Sequence, residues 1–416
     1  MKKVDVIIIG AGSRGTGYGD FIAAHPDVAR VVGVAEPRDF FREQMAKKHG
    51  IAAENIARDW TEFSAREKFA DAVIIATPDA VHVEPAIEFA KRGYHIMLEK
   101  PMATNEADCR RLAREIRKAD PIFAVCHVLR YTPYTQKVRA LIAGGAVGEI
   151  VSIQHLEPVG YWHQAHSFVR GNWRNEKESS PMLLAKSCHD LDWISHIVGR
   201  RCEKISSFGT LKHFRREQEP AGAADRCVEC KIEPACPYSA KKIYLGMLAR
   251  GNTGWPLDVL APEQTEVAIL EVLRNGPYGR CVYACDNDVV DNQVVNMLFV
   301  GGSTASFTMT AFTEAGHRKT RIFGTRGSLT GDGVQIEHFD FLTDRKAIID
   351  TRARDASISG GHGGGDEGLM ESFLAAVSSK DKSKVLSGID DSFESHLMVF
   401  AAERARRMSS VEDVKS

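Results

Sequence analysis

The stretch from Val4 to Gly15 reads Val-Asp-Val-Ile-Ile-Ile-Gly-Ala-Gly-Ser-Arg-Gly. Its first half, Val4–Ile9, is a run of mainly β-branched apolar residues, which predicts a parallel strand buried on both faces. The run stops at Gly10-Ala11-Gly12-Ser13-Arg14-Gly15, a G-x-G-x-x-G spacing placed directly after a strand. A strand followed at once by this spacing predicts a dinucleotide-binding turn rather than a plain glycine-rich loop.

Each position of the turn has a physical role in that prediction. Gly10 allows the chain to turn tightly, Gly12 lets a pyrophosphate approach the backbone, and Gly15 lets the next helix pack close to the strand. The phosphates would bind the free N–H groups of Ser13 and Arg14, at the positive end of that helix.

A second apolar run, Val31 to Ala35, ends in Glu36, which lies 21 residues after Gly15. An acidic residue at this distance is expected to receive the ribose hydroxyls of the cofactor. Because a carboxylate repels a 2′-phosphate, Glu36 favours NAD over NADP. Arg38 stands close by and leaves NADP open as an alternative.

Composition limits the classes of protein to consider. The chain has 416 residues, 44% of them hydrophobic and 26% charged, which fits two ordinary globular domains. A net charge of −1 gives no reason to expect a nucleic-acid partner or a membrane surface. No apolar stretch is long enough to cross a bilayer and no signal peptide is recognisable, so a cytoplasmic location is expected. Nine cysteines, an odd number, argue against a secreted disulfide framework.

Strands and helices alternate up to about residue 126, which predicts a doubly wound parallel sheet, an α/β Rossmann domain, over residues 1–126. Residues 127–416 then predict an α+β domain with a large, mainly antiparallel open sheet. Its expected strands are Ile150–Leu156, Cys202–Leu211, Val294–Phe299, Ala305–Thr310, Arg318–Phe323 and Gln335–Phe341. Two helices are expected to close the chain, over Glu367–Ser378 and Ser392–Met408.

Further motifs stand in order after the glycine turn. They are Ala76-Thr77-Pro78-Asp79-Ala80-Val81-His82, Glu99-Lys100-Pro101, Arg130-Tyr131-Thr132-Pro133, His189-Asp190-Leu191-Asp192 and Ile322-Phe323-Gly324-Thr325-Arg326-Gly327. With these motifs the chain resembles the glucose–fructose oxidoreductase / inositol dehydrogenase / MocA family (Gfo/Idh/MocA) along essentially its whole length. The resemblance implies a Rossmann domain followed by an open sheet that forms a homo-oligomer, a dimer or tetramer. It also implies cofactor contacts from Thr77, Pro78, His82, Glu99, Lys100 and Arg130.

The resemblance also implies a catalytic pair. Oxidation of a sugar alcohol needs a base for the hydroxyl proton and charge to stabilise the alkoxide. Lys100 and His189 match these roles, and Asp192 lies one helical turn beyond His189 as a substrate contact. The chain departs from many sugar dehydrogenases of the family at Ala185, where they carry aspartate. Lys186, the next residue, is a candidate to bind substrate or share the proton relay, with a helix salt bridge as the alternative.

Two other segments are candidates for substrate binding. Tyr161–Arg174 mixes aromatic rings with hydrogen-bond donors, as a carbohydrate site requires, although a dimer loop is an equal alternative. Its candidate ligands are His163, His166, Arg170 and Trp173. His362 and Asp366, in the glycine-rich stretch Gly360–Asp366, could close over the substrate, unless that stretch is only a flexible connection.

A cysteine-rich insertion at about residues 212–260 has metal-site spacing. Cys227 and Cys230 form C-x-x-C, and Cys236 follows six residues later. These three cysteines predict a structural zinc site with His213 as the fourth ligand, and Cys202, Cys281 and Cys285 as reserve candidates. An iron–sulfur cluster lacks the usual spacing, and a redox-active pair would normally open a helix after a strand. Cysteines that bind no metal, either reduced or in a disulfide, are the alternative.

Three functions follow from these features. The first is an NAD(P)-dependent oxidoreductase acting on a carbinol of a sugar, sugar acid, cyclitol or glycoside. The second is an NAD-dependent glycoside hydrolase that oxidises transiently, eliminates the leaving group, adds water and reduces again. The third is a dinucleotide-binding regulator without turnover, which the presence of both Lys100 and His189 makes the weakest.

Overall fold

The computed structural model describes residues 2–352 and 362–415, and in these residues it has two β-sheets. Six parallel strands form the first sheet in the order β3-β2-β1-β4-β5-β6, an arrangement typical of doubly wound folds. The strands are β1 (Val4–Ile9), β2 (Ala29–Ala35), β3 (Ile56–Ala57), β4 (Ala72–Ile75), β5 (His95–Leu98) and β6 (Phe123–Val125). The helices between them are α1 (Ser13–Ala24), α2 (Asp39–His49), α3 (Thr61–Ser64), α4 (Val83–Lys91) and α5 (Glu106–Ala119).

Strand β1 is buried on both faces, as its apolar run predicts. Val4, Val6 and Ile8 enter one core cluster, whereas Ile7 and Ile9 enter another on the opposite face. Alternation of side chains across the strand sends successive residues to the two layers of helices. The carboxyl end of β1 is thereby fixed from both sides, and the glycine turn begins there.

Nine strands of the described residues form the second sheet, in the order β14-β13-β12-β11-β7-β10-β9-β8-β15. The strands are β7 (Ile150–Pro158), β8 (Cys202–Thr210), β9 (Asn292–Phe299), β10 (Thr304–Thr310), β11 (Lys319–Gly324), β12 (Gly327–Gly331), β13 (Gln335–Asp340), β14 (Arg345–Asp350) and β15 (Val411–Asp413). Neighbours pair antiparallel except β7 and β10, which are parallel. The fold-class prediction is confirmed.

Helices cover this sheet and connect it to the first domain. They are α6 (Pro133–Ala143), α7 (Tyr161–His163), α8 (Met182–Ala185), α9 (Cys188–Val198), α10 (Ala240–Ala249), α11 (Leu257–Leu260), α12 (Glu266–Asn275), α13 (Gly365–Ser379) and α14 (Ile389–Met408). A π-helix spans Gln164–Arg170. Short 3₁₀ turns lie at Ala53–Asn55, Asp79–Val81, Val128–Tyr131, Arg216–Gln218, Glu233–Ala235, Pro277–Gly279 and Lys382–Lys384. No helix among the described residues is long and apolar enough to cross a bilayer.

The chain returns to the first domain near its end. Leu369, Met370, Phe373 and Leu374 of α13 are buried in the same core cluster as one face of β1. Helix α13 therefore packs on the parallel sheet, although it comes after the open sheet in sequence. This return brings the residues just before α13 to the carboxyl edge of the first sheet.

The sequence patterns missed several short strands. Residues Ile56–Ala57, Gly327–Gly331, Arg345–Asp350 and Val411–Asp413 are strands that no alternation or apolar run marked. β14 and β15 lie at the two ends of the open sheet, where most side chains are exposed and the apolar signal is weak. The part of the predicted glycine-rich loop at Gly360 and Gly361 lies outside the described residues.

Candidate active site

The glycine turn connects β1 to α1 at the carboxyl edge of the parallel sheet. Gly10 has φ of +88°, and a Cβ there would stand 2.6 Å from the Ala76 carbonyl oxygen. A Cβ on Gly15 would stand 1.9 Å from the Gly10 carbonyl oxygen, so only glycine fits either position. The first N–H groups of α1 have no intrahelical acceptor, and the N-cap residue, Gly12, has no side chain to cap them. This cradle of free donors fits a pyrophosphate.

Glu36, at the end of β2, is 2% exposed and points toward the glycine turn. One carboxylate oxygen accepts the Ala11 N–H at 2.8 Å, and Arg38 Nε donates to the other at 2.7 Å. Burial raises the pKa of Glu36, but Arg38 and the backbone donors outweigh it and lower the pKa overall. The carboxylate is therefore ionised and in place to accept hydroxyl donors.

Lys100 follows β5 and extends toward the second domain. Its Nζ donates to the carbonyl oxygen of Ala185 at 2.8 Å. Its backbone N–H donates to Glu99 Oε2 at 3.1 Å, and the Lys100–Pro101 peptide bond is cis. The ammonium is thereby held at the boundary between the two domains, above the edge of the parallel sheet.

His189 lies in the first turn of α9, and its side chain is buried beside Lys100. Its Nδ1 has no hydrogen-bond partner among the described residues. The ring of His189 contacts the rings of His127 and His362, with a distance of 5.9 Å between ring centroids in each pair. Burial lowers the pKa of His189 well below its usual value, and the charge of Lys100 lowers it further. The imidazole is neutral at neutral pH and can accept a proton.

A buried ion cluster adjoins this pair, and the sequence patterns identified only Lys186 in it. Lys186 Nζ lies 3.2 Å from Glu157 Oε1, and Arg318 Nε lies 2.6 Å from Glu157 Oε2 and 2.9 Å from Asp190 Oδ1. Burial lowers the pKa of Lys186. His163 lies near these cations, and burial with the charge of Lys186 lowers its pKa as well. The cluster has no local sequence signal because its members come from distant elements.

A chain of hydrogen bonds joins the glycine turn to the first turn of α13 and to His362 just before it. Arg14 Nε donates to Glu99 Oε1 at 2.6 Å, and Arg14 Nη2 donates to Asp366 Oδ1 at 2.6 Å. His362 Nδ1 lies 2.8 Å from Asp366 Oδ2. Through its ring contact with His189, His362 brings this chain to the same cleft.

Three residues predicted to face a ligand are instead turned inward. Arg130 donates to both oxygens of Asp192 at 2.8 Å, and neither residue is more than 2% exposed. Burial raises the pKa of Asp192, but the Arg130 charge outweighs it and lowers the pKa to about 2. His82 is fully buried between the carbonyl oxygens of Pro101 and Thr77. These side chains brace the walls of the site, contrary to the prediction of ligand contacts.

Two of the residues predicted to bind substrate in the segment Tyr161–Arg174 also have their side chains occupied by protein contacts. His166 contacts Tyr244, and Arg170 donates to the carbonyl oxygens of Arg280 and Tyr238. Both face the cysteine-rich insertion, contrary to the prediction that they bind substrate. The rings of His163 and His166 both contact the Trp255 ring of the insertion, with centroids 4.9 and 5.3 Å apart.

Trp173 lies at the boundary between the domains. Its indole Nε1 donates to Asp79 Oδ2 at 3.2 Å, which connects the second domain to the 3₁₀ turn after Thr77 and Pro78. Thr77 and Pro78 follow β4 at the same sheet edge as the glycine turn. Trp173 therefore closes one side of the cleft.

His213 does not join the three cysteines that were predicted to bind zinc with it. His213 Nε2 contacts the Tyr283 hydroxyl at 3.1 Å and its ring packs among aromatic rings. Within residues 2–352 and 362–415, no three His, Cys, Asp or Glu side chains stand at distances that would hold a metal ion. The prediction of His213 as a ligand is wrong, because this ring belongs to an aromatic cluster.

Comparison with known sequences identifies the chain's family. A profile described as "Oxidoreductase family, NAD-binding Rossmann fold" matches residues 4–127. A second profile, "Oxidoreductase family, C-terminal alpha/beta domain", matches residues 139–412. The chain belongs to the Gfo/Idh/MocA oxidoreductase family. The family resemblance predicted from the motifs is thereby confirmed.

Several curated relatives in the family have assigned reactions. The chain is 29% identical over 209 residues to the 2,7-anhydro-N-acetylneuraminate hydratase of Escherichia coli, covering 49% of this chain and 51% of that protein. It is 25% identical over 206 residues to the myo-inositol 2-dehydrogenase of Thermotoga maritima, covering 49% and 58%. The chain thus matches little more than half the length of either relative. The Bacillus subtilis protein YteT is 23% identical over 338 residues, 77% of this chain and 76% of that protein.

Solved structures share the fold along the whole chain. An oxidoreductase from Agrobacterium radiobacter, crystallised with NAD⁺, L-tartaric acid and magnesium, superposes with a TM-score of 0.72. That match has 15% identity and covers 99% of both chains. Levoglucosan dehydrogenase in complex with NADH and levoglucosan gives a TM-score of 0.72, with 19% identity and full coverage of both chains.

Proposed function

We propose that this protein transfers hydride between a nicotinamide cofactor and a carbinol carbon of a sugar, sugar acid, cyclitol or glycoside. The observation that carries the proposal is the meeting of Lys100 and His189 at the carboxyl edge of the parallel sheet. Ligands of doubly wound folds bind at this edge. An ammonium and a neutral imidazole beside a dinucleotide cradle are the groups that carbinol oxidation requires.

The cofactor site fits NAD. The free N–H groups after Gly12 would bind the pyrophosphate, and the buried carboxylate of Glu36 would accept the ribose hydroxyls. When bound, the nicotinamide supplies a hydride acceptor. The ionised Glu36 disfavours the extra phosphate of NADP, and its pairing with Arg38 keeps that cation from attracting the phosphate.

The proton of the substrate hydroxyl is handled by Lys100 and His189. We place the Lys100 ammonium against the carbinol oxygen, where its positive charge stabilises the developing alkoxide. The neutral His189, with its unpartnered Nδ1, accepts the proton. Ala185 leaves His189 without the neighbouring aspartate of many relatives, so the base is oriented by burial and by the surrounding rings.

The ion cluster around Glu157 suits a polyhydroxylated ligand. Lys186 and Arg318 are two cations, and Glu157 and Asp190 are two carboxylates, so the cluster itself carries no net charge. Its donors and acceptors fit the hydroxyl groups of a polyol. Arg318 Nη2 has no hydrogen-bond partner among the described residues and can donate to a ligand oxygen.

A second candidate function uses the same cofactor for transient oxidation followed by elimination. Oxidation to a ketone acidifies the adjacent C–H, so a second base is needed to remove that proton. His362, paired with Asp366 and in contact with His189, is such a group. The relative described as an anhydro-sugar hydratase is consistent with chemistry other than simple dehydrogenation.

A substrate survey tests both candidates. Purified protein is mixed with NAD or NADP and a set of sugars, sugar acids, cyclitols and aryl glycosides. NADH absorbance and release of the leaving group are followed together. We expect reduced cofactor to accumulate with at least one of these compounds, faster with NAD than with NADP. Leaving-group release without net NADH would favour the second candidate, and neither signal from any compound would contradict both.

The pH profile of the reaction is a further prediction. Because burial and Lys100 lower the pKa of His189 below the ordinary value of 6.5, its base form persists when the pH falls through 6.5. We therefore expect kcat/KM for oxidation to stay level down to that pH and to decline only in more acidic buffer. The check is kcat/KM measured from pH 5 to 9 at fixed NAD. A decline that begins above pH 6.5 would contradict the role given to His189.

We also propose that the chain forms a homo-oligomer through its open sheet. Val151, Phe208, Val294 and Phe323 are large apolar side chains that remain exposed on the strands of that sheet. Exposed apolar patches on a sheet face are typical of interaction surfaces. Light scattering at micromolar protein would detect a dimer or larger, and a strictly monomeric mass would contradict the proposal.

A further inference from the structure

The insertion between β8 and β9 brings cysteines together from distant parts of the chain. Cys227, Cys230, Cys236 and Cys281 all line one small cavity. Two backbone hydrogen bonds bring the loops together: Cys227 N–H donates to Gly279 and Cys281 N–H donates to Asp225, at 2.9 and 2.8 Å. Cys281 is 45 residues beyond Cys236, so the fold, rather than local spacing, supplies this fourth thiol.

Arg170 presents an uncompensated charge to the same cavity. The residue is 1% exposed and forms no ion pair with an acid within the described residues. Its Nη2 donates to Cys227 Sγ at 3.5 Å, and its Nη1 has no hydrogen-bond partner there. A buried guanidinium without a carboxylate is costly unless negative charge lies beside it. The carbonyl oxygens of Arg280 and Tyr238 accept from this guanidinium at 2.7 and 2.8 Å, and the Cys227 thiol lies beside it.

We propose that Cys227, Cys230, Cys236 and Cys281 form a structural zinc site, with Arg170 as its buried counter-charge. Zinc bound by four thiolates is tetrahedral and carries a net charge of −2, which one guanidinium partly neutralises. The Ala240 N–H, which donates to Cys227 Sγ at 3.4 Å, is the kind of outer contact that orients a metal-bound sulfur.

The thiols line the cavity without converging on one point, in agreement with the lack of any group at metal-binding distances. A cysteine side chain has one torsion with three staggered positions, so rotation of the side chain redirects its sulfur without moving the backbone. Metal binding is expected to release the thiol protons and select the converging rotamers. The site would fix a segment that lacks a sheet of its own and, through Arg170, would brace the π-helix that leads from His163.

Metal content and matched variants test the assignment. The protein is produced in zinc-supplemented medium, and its zinc content is measured by inductively coupled plasma mass spectrometry. Cys281→Ser and Cys236→Ser are the variants that each remove one proposed ligand. Cys285→Ser is the control, because Cys285 belongs to the same loop but bonds to the Cys281 carbonyl and does not line the cavity. We expect about one zinc per chain in the wild type, Cys285→Ser and His213→Ala, and at least a fivefold loss in both ligand variants.

A second measurement keeps the test valid if the ligand variants do not fold. Cobalt(II) is exchanged into the wild-type protein, and its spectrum reports the number of thiolates and the geometry. We expect intense sulfur-to-cobalt charge-transfer bands of a tetrahedral four-thiolate centre. Metal-free wild-type protein after zinc supplementation, zinc retained in Cys281→Ser, loss in His213→Ala, or acid-labile sulfide with iron would each overturn the proposal.

Discussion

The Lys100→Met variant is expected to lose about 10³-fold or more in kcat for NAD reduction. Methionine keeps the length of the side chain but removes the ammonium that donates to Ala185 and stands beside His189. The alkoxide that develops on the substrate then has no positive charge against it. The measurement is steady-state kcat and KM with the best substrate of the survey.

Two controls accompany this variant. Lys91→Met changes an exposed lysine on α4 that pairs only with Glu88 among the described residues, and it should behave as the wild type. NAD affinity, measured by fluorescence titration, should be nearly unchanged in Lys100→Met, because the pyrophosphate and ribose groups of the site are intact. A kcat within threefold of the wild type would contradict the role of Lys100 and would favour a dinucleotide-binding regulator.

The His189→Gln variant is expected to lower kcat by roughly 10²- to 10⁴-fold, because the base with the unpartnered Nδ1 is removed. Since Lys100 and His189 act on the same proton and the same oxygen, the double variant should lose little more than Lys100→Met alone. The measurement is kcat for the two single variants and the double variant. Fully multiplicative losses would show that the two side chains act independently, against this account.

His362→Asn distinguishes the two proposed reactions. In simple dehydrogenation His362 contacts His189 but removes no proton, so the loss should be less than tenfold. In oxidation with elimination His362 removes the second proton, so release of the leaving group should fall as far as in His189→Gln. Comparing the two variants with the same substrate therefore separates the candidates.

Local sequence was sufficient to predict those features of the fold and site that depend on short-range geometry. The glycine turn is specified by three residues that each lack room for a side chain or lie beside the phosphate site, and Glu36 follows at a fixed distance. Glu99 and Lys100 are recognisable because they end a buried strand. The fold class followed from the change between alternating and continuous apolar runs.

Long-range contacts could not be predicted in this way. Glu157, Asp190 and Arg318 meet Lys186 from β7, α9 and the segment just before β11. Glu157 and Arg318 stand in no motif, and the motif that contains Asp190 does not reveal its partners. The placement of Asp192 one turn beyond His189 was correct, yet its side chain turns toward Arg130 and away from the cleft. Spacing alone gives the turn of a helix but not the partner that each side chain meets.

The same limit applies to the substrate segment and the cysteines. His166 and Arg170 lie in a π-helix, and their partners Tyr244, Arg280 and Tyr238 come from distant parts of the chain. The proximity of Cys281 to Cys227 depends on a loop contact across 54 residues, which no local motif encodes. His213 was the better candidate by sequence distance, but its ring is held by Tyr283.

A crystal structure of the NAD complex would show where the nicotinamide ring lies relative to Lys100 and His189. We expect the pyrophosphate on the N–H groups after Gly12, the adenosine ribose on Glu36, and the nicotinamide ring in the cleft between Lys100 and His189. A nicotinamide ring bound away from both side chains, or a cleft closed to it in the bound state, would refute the proposed hydride transfer.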